Sequence, residues 1–542
     1  MKSKYVNFFY IFITITLLVI ACAPSPAIVS STDLPATQEP QNKVDTNQDV
    51  APTATYTPTP KPPQEILAPV SYGPDQKDFP AGVNPLTGLQ VADPSLLEQP
   101  ALIMSIPHFP VEVRPQGGLS FAPWVFEYLI ATGSTRFAAI FYGQFPYPEA
   151  PLTGGCDVRT EPFEQNGILL GNRVWQDQNA DGIQSPEEQG VGGVCVNLYN
   201  EEGELLQETT TDSNGYYGFN VEAGTYTLEF IKSEDWEFTE PNVGYENTDS
   251  DADQDSGRTD AIQVDSDTRL WDAGLLPLVE PDSTDIPPAE VGPVRSGRLI
   301  HIHLQSFLQN SCLIYAGATD EIRRLIPSCA QVQKKGDGGN GSMMEISRMI
   351  AVSEDNGRLR GSNFNYANNM FSEETPLGGT PASQVDMFFS QFNQSKWVYD
   401  PTSQGWLRYV DNASEQTEFH ADVDRLNGRQ IDFDNVIVLF VEHEVQAPLI
   451  IDMYLQQGEQ ENGFVFRDGQ IFNIKWSTRS GEYEKKTGFR RPIAFTDTDG
   501  NPFPLKPGRS WIIIATPYSD YSQSETGKWK FRIYSPPGAG LY

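Results

Sequence analysis

Basic residues are scarce in this chain. Lysine and arginine together number 37, against 72 aspartates and glutamates, and the formal net charge is −35. A protein that binds nucleic acid needs a basic face to contact phosphates, so this balance excludes nucleic acid as a partner. An acidic surface suits a well-solvated extracellular protein, and carboxylates are ligands that calcium prefers.

Long hydrophobic runs are also few. The run Phe8–Ala21, which follows Lys2 and Lys4, is too short to span a membrane but has the length of a signal-peptide core. We therefore predict a signal peptide over residues 1–21. The sequence Val-Ile-Ala-Cys at its end resembles a bacterial lipobox, which implies cleavage before Cys22 and a lipid on its sulfur. That reading predicts an extracytoplasmic protein anchored to the membrane, whereas a plain signal peptide with an incidental cysteine is the alternative.

Residues 22–78 are rich in proline and threonine, most densely in "APTATYTPTPKPPQ". Such a composition buries too little apolar surface to fold and favours extended polyproline conformations. We predict a disordered linker that holds the folded part of the chain away from the membrane.

Cysteine is rare, with five in the chain. Apart from Cys22, the four others lie outside the reducing cytosol and allow three disulfide pairings. Proximity in the sequence favours Cys312–Cys329, and elimination then favours Cys156–Cys195, although free buried thiols remain an alternative. No Cys-x-x-Cys or Cys/His grouping indicates zinc.

Three kinds of sequence pattern follow the linker. Segments 79–150 and 289–375 combine apolar strand-like runs with short helical stretches, and predict one discontinuous, mixed α/β domain. Between them, segment 167–277 has short alternating strands divided by Asn/Asp/Gly turns, which is typical of a small β-sandwich. Segment 380–542 predicts a β-rich domain with tight hairpins. The predicted fold class is therefore multidomain α+β: a mixed α/β domain, interrupted by a β-sandwich and followed by a β-rich domain.

Several blocks outside the sandwich resemble the YerB-type bacterial lipoproteins, which are built from an N-terminal and a C-terminal domain of unknown function. In that family the "TRF" and "GPVRS" blocks lie close together in the sequence, so their wide separation here independently supports an insertion. The resembling blocks are "RPQGGL" (114–119), Glu127, "TRF" (135–137), "GPVRSGR" (292–298), "WLRYVDN", "DNVIVLFV", "GFVFRDGQIFNIKW" and "LKPGRSWIIIATP".

Two positions depart from the family pattern. Ala122-Pro123 stands where the family usually has Ala-Asp, and Asn368 stands where a histidine is usual. If that histidine has a chemical role in relatives, this chain lacks it.

The inserted segment resembles an SdrD B-like repeat of the serine-aspartate-repeat adhesins, in "GNRVWQDQNADGIQSPEEQGVGGVCVNLYN", "TTTDSNGYYGF" and "NTDSDADQDSG". The resemblance implies an immunoglobulin-like or prealbumin-like sandwich that binds calcium.

The stretch "DQNADGIQSPEE" within the insert fits the calcium-loop pattern D-x-[DN]-x-[DN]-G-x₅-E. Oxygens alternate along its first half, a glycine allows the sharp turn, and the final glutamate can give two oxygens. The predicted ligands are Asp177, Asn179, Asp181, the carbonyl of Ile183, and Glu188.

A second acidic cluster, "NTDSDADQD", spaces Asp249, Asp251 and Asp253 two residues apart. We predict a further calcium site here, with a solvated acidic loop as the alternative.

Four arginines lie in the family-like blocks beside turn residues, with Glu127 nearby. Arginine forks match carboxylates and phosphates, so the four predict an anion site. The alternative is that Glu127 and backbone carbonyls satisfy them within the core. They are Arg114, Arg136, Arg295 and Arg298.

Histidines add no catalytic group. The run "LIHIHL" predicts a strand with His301 and His303 on the same side, as two zinc ligands would lie, but no third ligand is evident. No nucleophile–base ordering, nucleophile elbow or nucleotide-binding motif is present, so no catalytic residue is assigned.

These observations predict a lipid-anchored cell-envelope protein of binding or structural type, with a calcium-stabilised, adhesin-like module and no enzymatic activity. Its expected partners are the membrane, through the lipid, and an envelope polymer or a surface protein. The alternative is an envelope enzyme whose arginines clamp an anionic phosphate or glycan, with Glu127 as acid or base.

Overall fold

A computed structural model of the chain describes residues 71–186, 188–278, 286–326, 328–332, 342–414, 416–456 and 461–541. The predicted signal peptide, Cys22 and most of the predicted linker lie outside the described residues. Across the described ranges, no helix is both long enough and apolar enough to cross a membrane. We call the described residues before 151 and after 285 the host domain, and residues 168–277 the insert.

The first host segment supplies three strands that are buried almost throughout, because packed elements cover both faces. The second strand pairs antiparallel with the third, and the third with the first. The strands are β1 (Leu102–Pro107), β2 (Trp124–Ala131) and β3 (Ser134–Phe141). Short 3₁₀ helices lie at Gln76–Asp78, Pro94–Glu98, Val111–Val113 and Leu119–Phe121.

The insert is a β-sandwich of two four-stranded sheets. Its buried side chains form a hydrophobic core separate from that of the host domain. The sandwich prediction is therefore confirmed. The strands are β4 (Ile168–Gln176), β5 (Cys195–Asn200), β6 (Leu205–Thr210), β7 (Tyr216–Val221), β8 (Gly224–Ile231), β9 (Trp236–Phe238), β10 (Ile262–Val264) and β11 (Ala273–Pro277).

The host chain resumes after the insert with three helices among short strands. These are β12 (Glu290–Val291), α1 (Ile300–Phe307), β13 (Cys312–Tyr315), α2 (Asp320–Leu325), β14 (Ser328–Gln331), β15 (Met344–Glu345), α3 (Ile346–Arg360) and β16 (Met370–Phe371).

The remainder of the host domain is almost entirely strands. They are β17 (Thr380–Ser390), β18 (Asn393–Asp400), β19 (Gly405–Asp411), β20 (Phe419–Ala421), β21 (Asp432–Phe433), β22 (Asn435–Phe440), β23 (His443–Ala447), β24 (Ile450–Met453), β25 (Glu461–Arg467), β26 (Gln470–Ser477), β27 (Ala494–Thr496), β28 (Pro504–Leu505), β29 (Ser510–Ala515), β30 (Asp520–Glu525) and β31 (Gly527–Arg532), with one helix, α4 (Gly481–Thr487).

The two host segments share one sheet. Strand β2 pairs in parallel with β29, with Trp124 opposite Ser510, and β29 continues in parallel to β22. The first segment therefore contributes strands to the same β-rich layer as the C-terminal segment. The predicted separate, mixed α/β N-terminal domain is not confirmed, because long-range strand pairing, which local sequence patterns do not encode, joins the two parts.

The run "LIHIHL" forms helix α1, so the predicted strand is wrong. Ile300, Leu304 and Phe307 are fully buried at helical spacing, and this face packs into the host core. Over four residues, the alternation of isoleucine and histidine fits a strand as well as a helix. The apolar positions further along the run have helical spacing and favour the helix. His301 and His303 therefore do not share a strand face.

The end of the predicted linker is structured. Tyr72 exchanges backbone hydrogen bonds with Phe371, at 3.2 and 2.9 Å, and its ring lies edge-on to Phe79 at 5.5 Å. Residues 71–78 therefore belong to the host domain rather than to a disordered segment.

Disulfides join both pairs that the sequence favours, one by proximity and the other by elimination. Cys156 bonds to Cys195, with Cα atoms 5.9 Å apart, and Cys312 bonds to Cys329, with Cα atoms 5.4 Å apart. The first ties the connector that precedes the insert to strand β5, and the second links β13 to β14.

Candidate functional site

The loop that follows β4 carries the predicted calcium ligands and is held in shape by its own side chains. Asp177 is 1% exposed, and its carboxylate accepts hydrogen bonds from the Gly182 amide, at 2.9 Å, and from the Thr239 hydroxyl. Glu188, also buried, accepts from the amides of Gln178, at 2.9 Å, and Ser185, at 2.8 Å. The first and twelfth positions of the motif therefore both point into the loop.

Gly182 makes the sharp turn that the motif requires. Its φ is +73°, and a Cβ there would lie 3.0 Å from the Glu240 carbonyl oxygen. Before it, Asn179 accepts from the amide of Asp181 at 3.0 Å, and Asp181 accepts from the amide of Ile183 at 2.9 Å. The alternating side chains thus lie along the inside of one tight loop.

The second acidic cluster, predicted as Asp249, Asp251 and Asp253, contains a different third residue in the structure. Asp249 is buried and Asp251 half-buried, and the side chain of Asp251 accepts a hydrogen bond from the amide of Asp272 at 2.6 Å. Asp272, which precedes β11, is fully buried. Asp253 instead is exposed and bonds locally to Ser256. The structure therefore brings together Asp249, Asp251 and Asp272.

Burial and mutual repulsion shift the protonation of this second cluster. Burial, together with Asp272, Asp249 and Glu246, raises the pKa of Asp251 to about 9. Burial, with a further contribution from Asp249, holds the pKa of Asp272 well above its usual range. In the first loop, burial raises the pKa of Glu188, and Asp177 and Asp181 add to the effect.

A bound cation fits the chemistry of both acidic sites. Their donors are carboxylate, amide and carbonyl oxygens, which suit calcium, and a cation would offset the repulsion between them. In the ranges that the structure describes, no three histidine, cysteine or acidic side chains yet converge as a metal cluster.

The four predicted anion-binding arginines divide between two faces of the host sheet. Arg136 on β3 lies opposite Tyr128 on β2, and Glu127 lies opposite Phe137, so Arg136 and Glu127 project from opposite faces. Arg114 lies on the Glu127 side. Its guanidinium donates to the Asp411 carbonyl and forms an ion pair with the Asp411 carboxylate at 3.3 Å.

Arg298 lies with Arg136, on the Tyr128 side. Burial raises the pKa of Tyr128, and the positive charges of Arg136 and Arg298 oppose that rise. Both guanidiniums therefore lie near the phenol. Arg295 follows β12 and its amide donates to the carbonyl of Ser105 on β1 at 2.7 Å. The described structure thus does not gather Arg114, Arg136, Arg295 and Arg298 into one pocket.

Glu127 is enclosed rather than open to a substrate. It is fully buried, and its carboxylate accepts from the Thr135 hydroxyl, at 3.0 Å, and from the Trp511 indole, at 3.1 Å. Burial raises its pKa, against the opposing effect of Arg408, whose Nη2 lies 3.8 Å away. This environment argues against a role for Glu127 as an acid or base on a polymeric substrate.

Arg408 is the centre of that buried network. It is fully buried, pairs with Asp422, and its guanidinium stacks over Trp511 at 4.6 Å and Phe137 at 5.3 Å. Burial lowers its pKa to about 10, and Glu127 opposes that shift. Arg408 lies in the family-like block "WLRYVDN", but the sequence assigned it no role, although a lone arginine in an apolar strand is a signal of a buried pair.

Neither of the strand-predicted histidines lies in a set of metal ligands. His303 pairs with Asp452 at 2.6 Å, while Nδ1 of the fully buried His301 lies 2.9 Å from the Arg298 amide. Asn368, at the position where a histidine is usual, donates to the Pro492 carbonyl at 2.6 Å. Asn368 therefore has a structural contact in this chain.

The insert contacts the host domain through an arginine that bridges the two. Arg159, in the connector before the insert, pairs with Asp212 of the insert at 3.5 Å and with Asp400 of the host at 3.4 Å. Close by, the Gln430 amide donates to the Ser213 hydroxyl at 3.1 Å. The insert is therefore docked on the host.

A cleft of about 280 Å³ opens at this junction. Apolar side chains, among them Leu152, Val158 and Val423, line it together with Arg159 and Arg429. Both arginines are already paired, Arg159 as above and Arg429 with Glu149.

The fold is thus a β-rich host sheet, built from two separated segments, with a docked β-sandwich carrying acidic loops. Family models match the same three parts. Residues 86–152 match the N-terminal domain, and residues 385–512 the C-terminal domain, of a protein of unknown function (DUF3048), and residues 168–275 match the SdrD B-like domain. The chain therefore carries both DUF3048 domains with an SdrD B-like domain inserted between them, as the sequence predicts.

Curated relatives are similar to this chain over 107 residues, about the length of the insert. The chain is 41% identical over 107 residues to serine-aspartate repeat-containing protein F of Staphylococcus epidermidis, and this region is 20% of this chain and 6% of that one. It is 42% identical over 107 residues to serine-aspartate repeat-containing protein D of Staphylococcus aureus strain Newman, covering 8% of that protein. The chain thus spans a small fraction of the length of these relatives.

Among solved structures, the YerB protein from Bacillus subtilis is similar at 16% sequence identity, with a TM-score of 0.41. The match covers 80% of this chain and 96% of that chain.

Proposed function

We propose that this chain is a lipid-anchored protein of the cell envelope with a binding or structural role, and that its insert is a calcium-stabilised, adhesin-like module. The observation that carries the proposal is the acidic loop Asp177–Glu188, which has the calcium-loop spacing and turn within a domain that matches the SdrD B-like family. The matches to serine-aspartate repeat-containing proteins support a surface module of this kind.

Calcium would act on this module through charge. Asp177, Asn179, Asp181, Glu188 and the Ile183 carbonyl would hold one ion, and Asp249, Asp251 and Asp272 a second. Burial is the main cause that raises the pKa of Glu188, Asp251 and Asp272, and the neighbouring carboxylates add to it. A divalent cation offsets the repulsion between these carboxylates and couples its binding free energy to folding.

Arg173 of β4 links the two acidic sites. Its guanidinium donates to the carbonyls of Glu188, at 3.0 Å, and of Asn214, at 3.2 Å, and its amide donates to Asp272 at 3.0 Å. Asn214 in turn lies in the turn that touches the host at Gln430. A cation at either site would therefore stiffen the part of the insert that is docked.

Removal of calcium is expected to lower the melting temperature of the insert in the ectodomain that begins at residue 23. With excess EDTA the insert transition should fall by several degrees, because a ligand at 100 times its Kd stabilises by about 2.7 kcal/mol. Differential scanning calorimetry measures this shift. Asp177→Asn should reduce the calcium effect, while Asp253→Asn, at an exposed site, should leave it intact. An unchanged melt with EDTA would defeat the calcium proposal.

The calcium effect should also grow with pH. Because the folded pKa of Asp251 is raised to about 9, well above an ordinary aspartate, the folded state retains a proton that the unfolded state loses above about pH 4. Without calcium, this group therefore makes stability fall as pH rises from about 4 to about 9. Calcium competes with that proton, so we expect a larger calcium-induced shift in melting temperature at pH 8 than at pH 5. The variant Asp251→Asn should flatten the difference, and equal shifts at both pH values in the parent protein would contradict it.

The membrane anchor is proposed from the run Phe8–Ala21 and the Ala21-Cys22 junction. In a bacterium that makes lipoproteins, Cys22→Ser is expected to abolish incorporation of labelled fatty acid, because the thiolate that accepts the lipid is gone. Cys156→Ser is the matched control and should keep the label. If Cys22→Ser retained the label, the lipid would not be attached at Cys22 and the proposed anchor would be wrong.

An envelope polymer or a surface protein is the proposed partner of the exposed module. The alternative of an envelope enzyme loses support from the division of the arginines between two sheet faces and from the enclosure of Glu127.

A further inference from the structure

Arg136 is a buried cation with only neutral partners. It is 1% exposed, and its Nη1 donates to the carbonyl and the hydroxyl of Ser296, at 3.0 and 2.8 Å. Among the residues that the structure describes, no carboxylate lies within ion-pair distance of it, and its buried Nε has no acceptor. The other fully buried arginines, Arg408 and Arg467, each pair with an aspartate. An unpaired charge in the interior is costly, so a counter-charge is expected at Arg136.

His301 carries a second buried polar atom without a partner among the described residues, its ring nitrogen Nε2. It is fully buried, and its Nδ1 lies 2.9 Å from the Arg298 amide nitrogen and 3.0 Å from the Arg298 carbonyl oxygen. Burial, with further contributions from Arg136 and Arg298, lowers its pKa to about 3, so the ring is neutral at physiological pH. In the tautomer whose Nδ1 accepts from the Arg298 amide, the single proton lies on Nε2, and within the described ranges that buried atom has no hydrogen-bond partner.

These two donors lie at one place. Arg136 and Tyr128 are directly opposite each other on β3 and β2, so their side chains share a face of the sheet. The Tyr128 ring lies edge-on to His301, with centroids 5.9 Å apart. Helix α1 thus brings its imidazole against the Arg136–Tyr128 pair, and the three side chains offer N–H and O–H donors around a positive charge.

We propose that Arg136, His301 and Tyr128 bind a small monovalent anion, and that chloride is the natural ligand. A single negative charge balances the one fully buried guanidinium. The cost of burying an ion rises with the square of its charge, so a divalent phosphate or sulfate fits this enclosed position poorly. Ser296 stays neutral, and Arg298 adds positive potential nearby.

The proposed ion joins the two parts of the discontinuous host domain. Arg136 and Tyr128 precede the insert in the chain, whereas His301 and Ser296 follow it. Chloride would therefore hold helix α1 onto strands β2 and β3, and the stability of the host domain, but not of the insert, should depend on it. This inference is independent of the calcium proposal.

Crystals of the ectodomain grown with bromide in place of chloride test the proposal directly. We expect an anomalous peak between Arg136 Nε and His301 Nε2, since water gives none. In calorimetry at constant ionic strength, replacing gluconate with chloride should raise the host transition by several degrees and leave the insert transition unchanged. No peak together with equal transitions in the two salts would overturn the proposal, and a peak at exposed positions alone would show adventitious ions only.

Variants distinguish an anion-binding role of Arg136 from a purely structural one. Arg136→Met should remove the chloride dependence of the host transition. Arg467→Met, at a buried arginine already paired with Asp468, should lower the transition but keep its chloride dependence. If Arg136→Met does not fold, His301→Phe keeps a ring but removes both ring nitrogens, Nε2 and the Nδ1 that contacts Arg298, and it should lower bromide occupancy. Unchanged occupancy in His301→Phe would remove His301 from the site.

Discussion

Replacing Arg408 with methionine is expected to lower the free energy of unfolding of the host domain by about 3–5 kcal/mol. The guanidinium is fully buried, pairs with Asp422 and stacks over Trp511 and Phe137. Removing it leaves the carboxylates of Asp422 and Glu127 buried without their cation. Burial already raises the pKa of Glu127, and the loss of Arg408 would raise it further.

Urea unfolding followed by tryptophan fluorescence measures this loss, because Trp511 and Trp397 lie against the guanidinium. Arg408→Lys should be intermediate, since it keeps the charge but loses the planar stack. Arg532→Met, at an exposed arginine on β31, is the control and should change stability by less than about 0.5 kcal/mol. A loss at Arg408 as small as that at Arg532 would show that the network contributes little.

Gly190→Ala is expected to destabilise the insert by about 3 kcal/mol while leaving the host transition in place. A Cβ at Gly190 would lie 1.8 Å from the Asn214 carbonyl oxygen, and backbone atoms cannot yield as a flexible side chain does. Gly190 follows the acidic loop Asp177–Glu188, and Asn214 lies in the turn that meets the host at Gln430. The substitution would therefore push apart the two segments that connect this acidic loop to the docked surface.

The separate cores of the insert and the host make this prediction specific. Scanning calorimetry should show the insert transition moving down alone. Gly203→Ala is the matched control, because no atom lies within 4 Å of its Cβ and only its φ of +79° opposes the change. Its cost should stay near 1 kcal/mol. A joint shift of both transitions would mean that the insert and host unfold as one unit.

The sequence predicted the shape of the first acidic loop because all the residues that define it lie within twelve consecutive positions. Spacing and one glycine are enough to define such a loop, and the structure holds Asp177 and Glu188 inside it. Asp272 was missed because its neighbours Asp249 and Asp251 lie in a distant segment. Asp253 was wrongly grouped with them, since even spacing keeps side chains on one side only in a regular strand.

The positions of the arginines likewise could not be predicted from local sequence patterns. Their blocks are visible in the sequence, but the strand register decides that Arg136 and Glu127 project from opposite faces of the sheet. A shift of one residue would have put them on the same face. Arg408, the partner of Glu127, lies on a strand far along the chain, and no local pattern connects the two.

The sequence by itself determined the sandwich, its boundaries between two host segments, the calcium-loop spacing and the helix-like and strand-like segments, because these depend on composition and on neighbours a few residues apart. Only the tertiary structure decided that β2 and β29 join both host segments in one sheet, that "LIHIHL" is a helix, and that Arg136 is buried beside His301 with no carboxylate among the described residues. These features depend on pairing and burial between segments separated by up to several hundred residues, and that information lies in the packed core rather than in any local pattern.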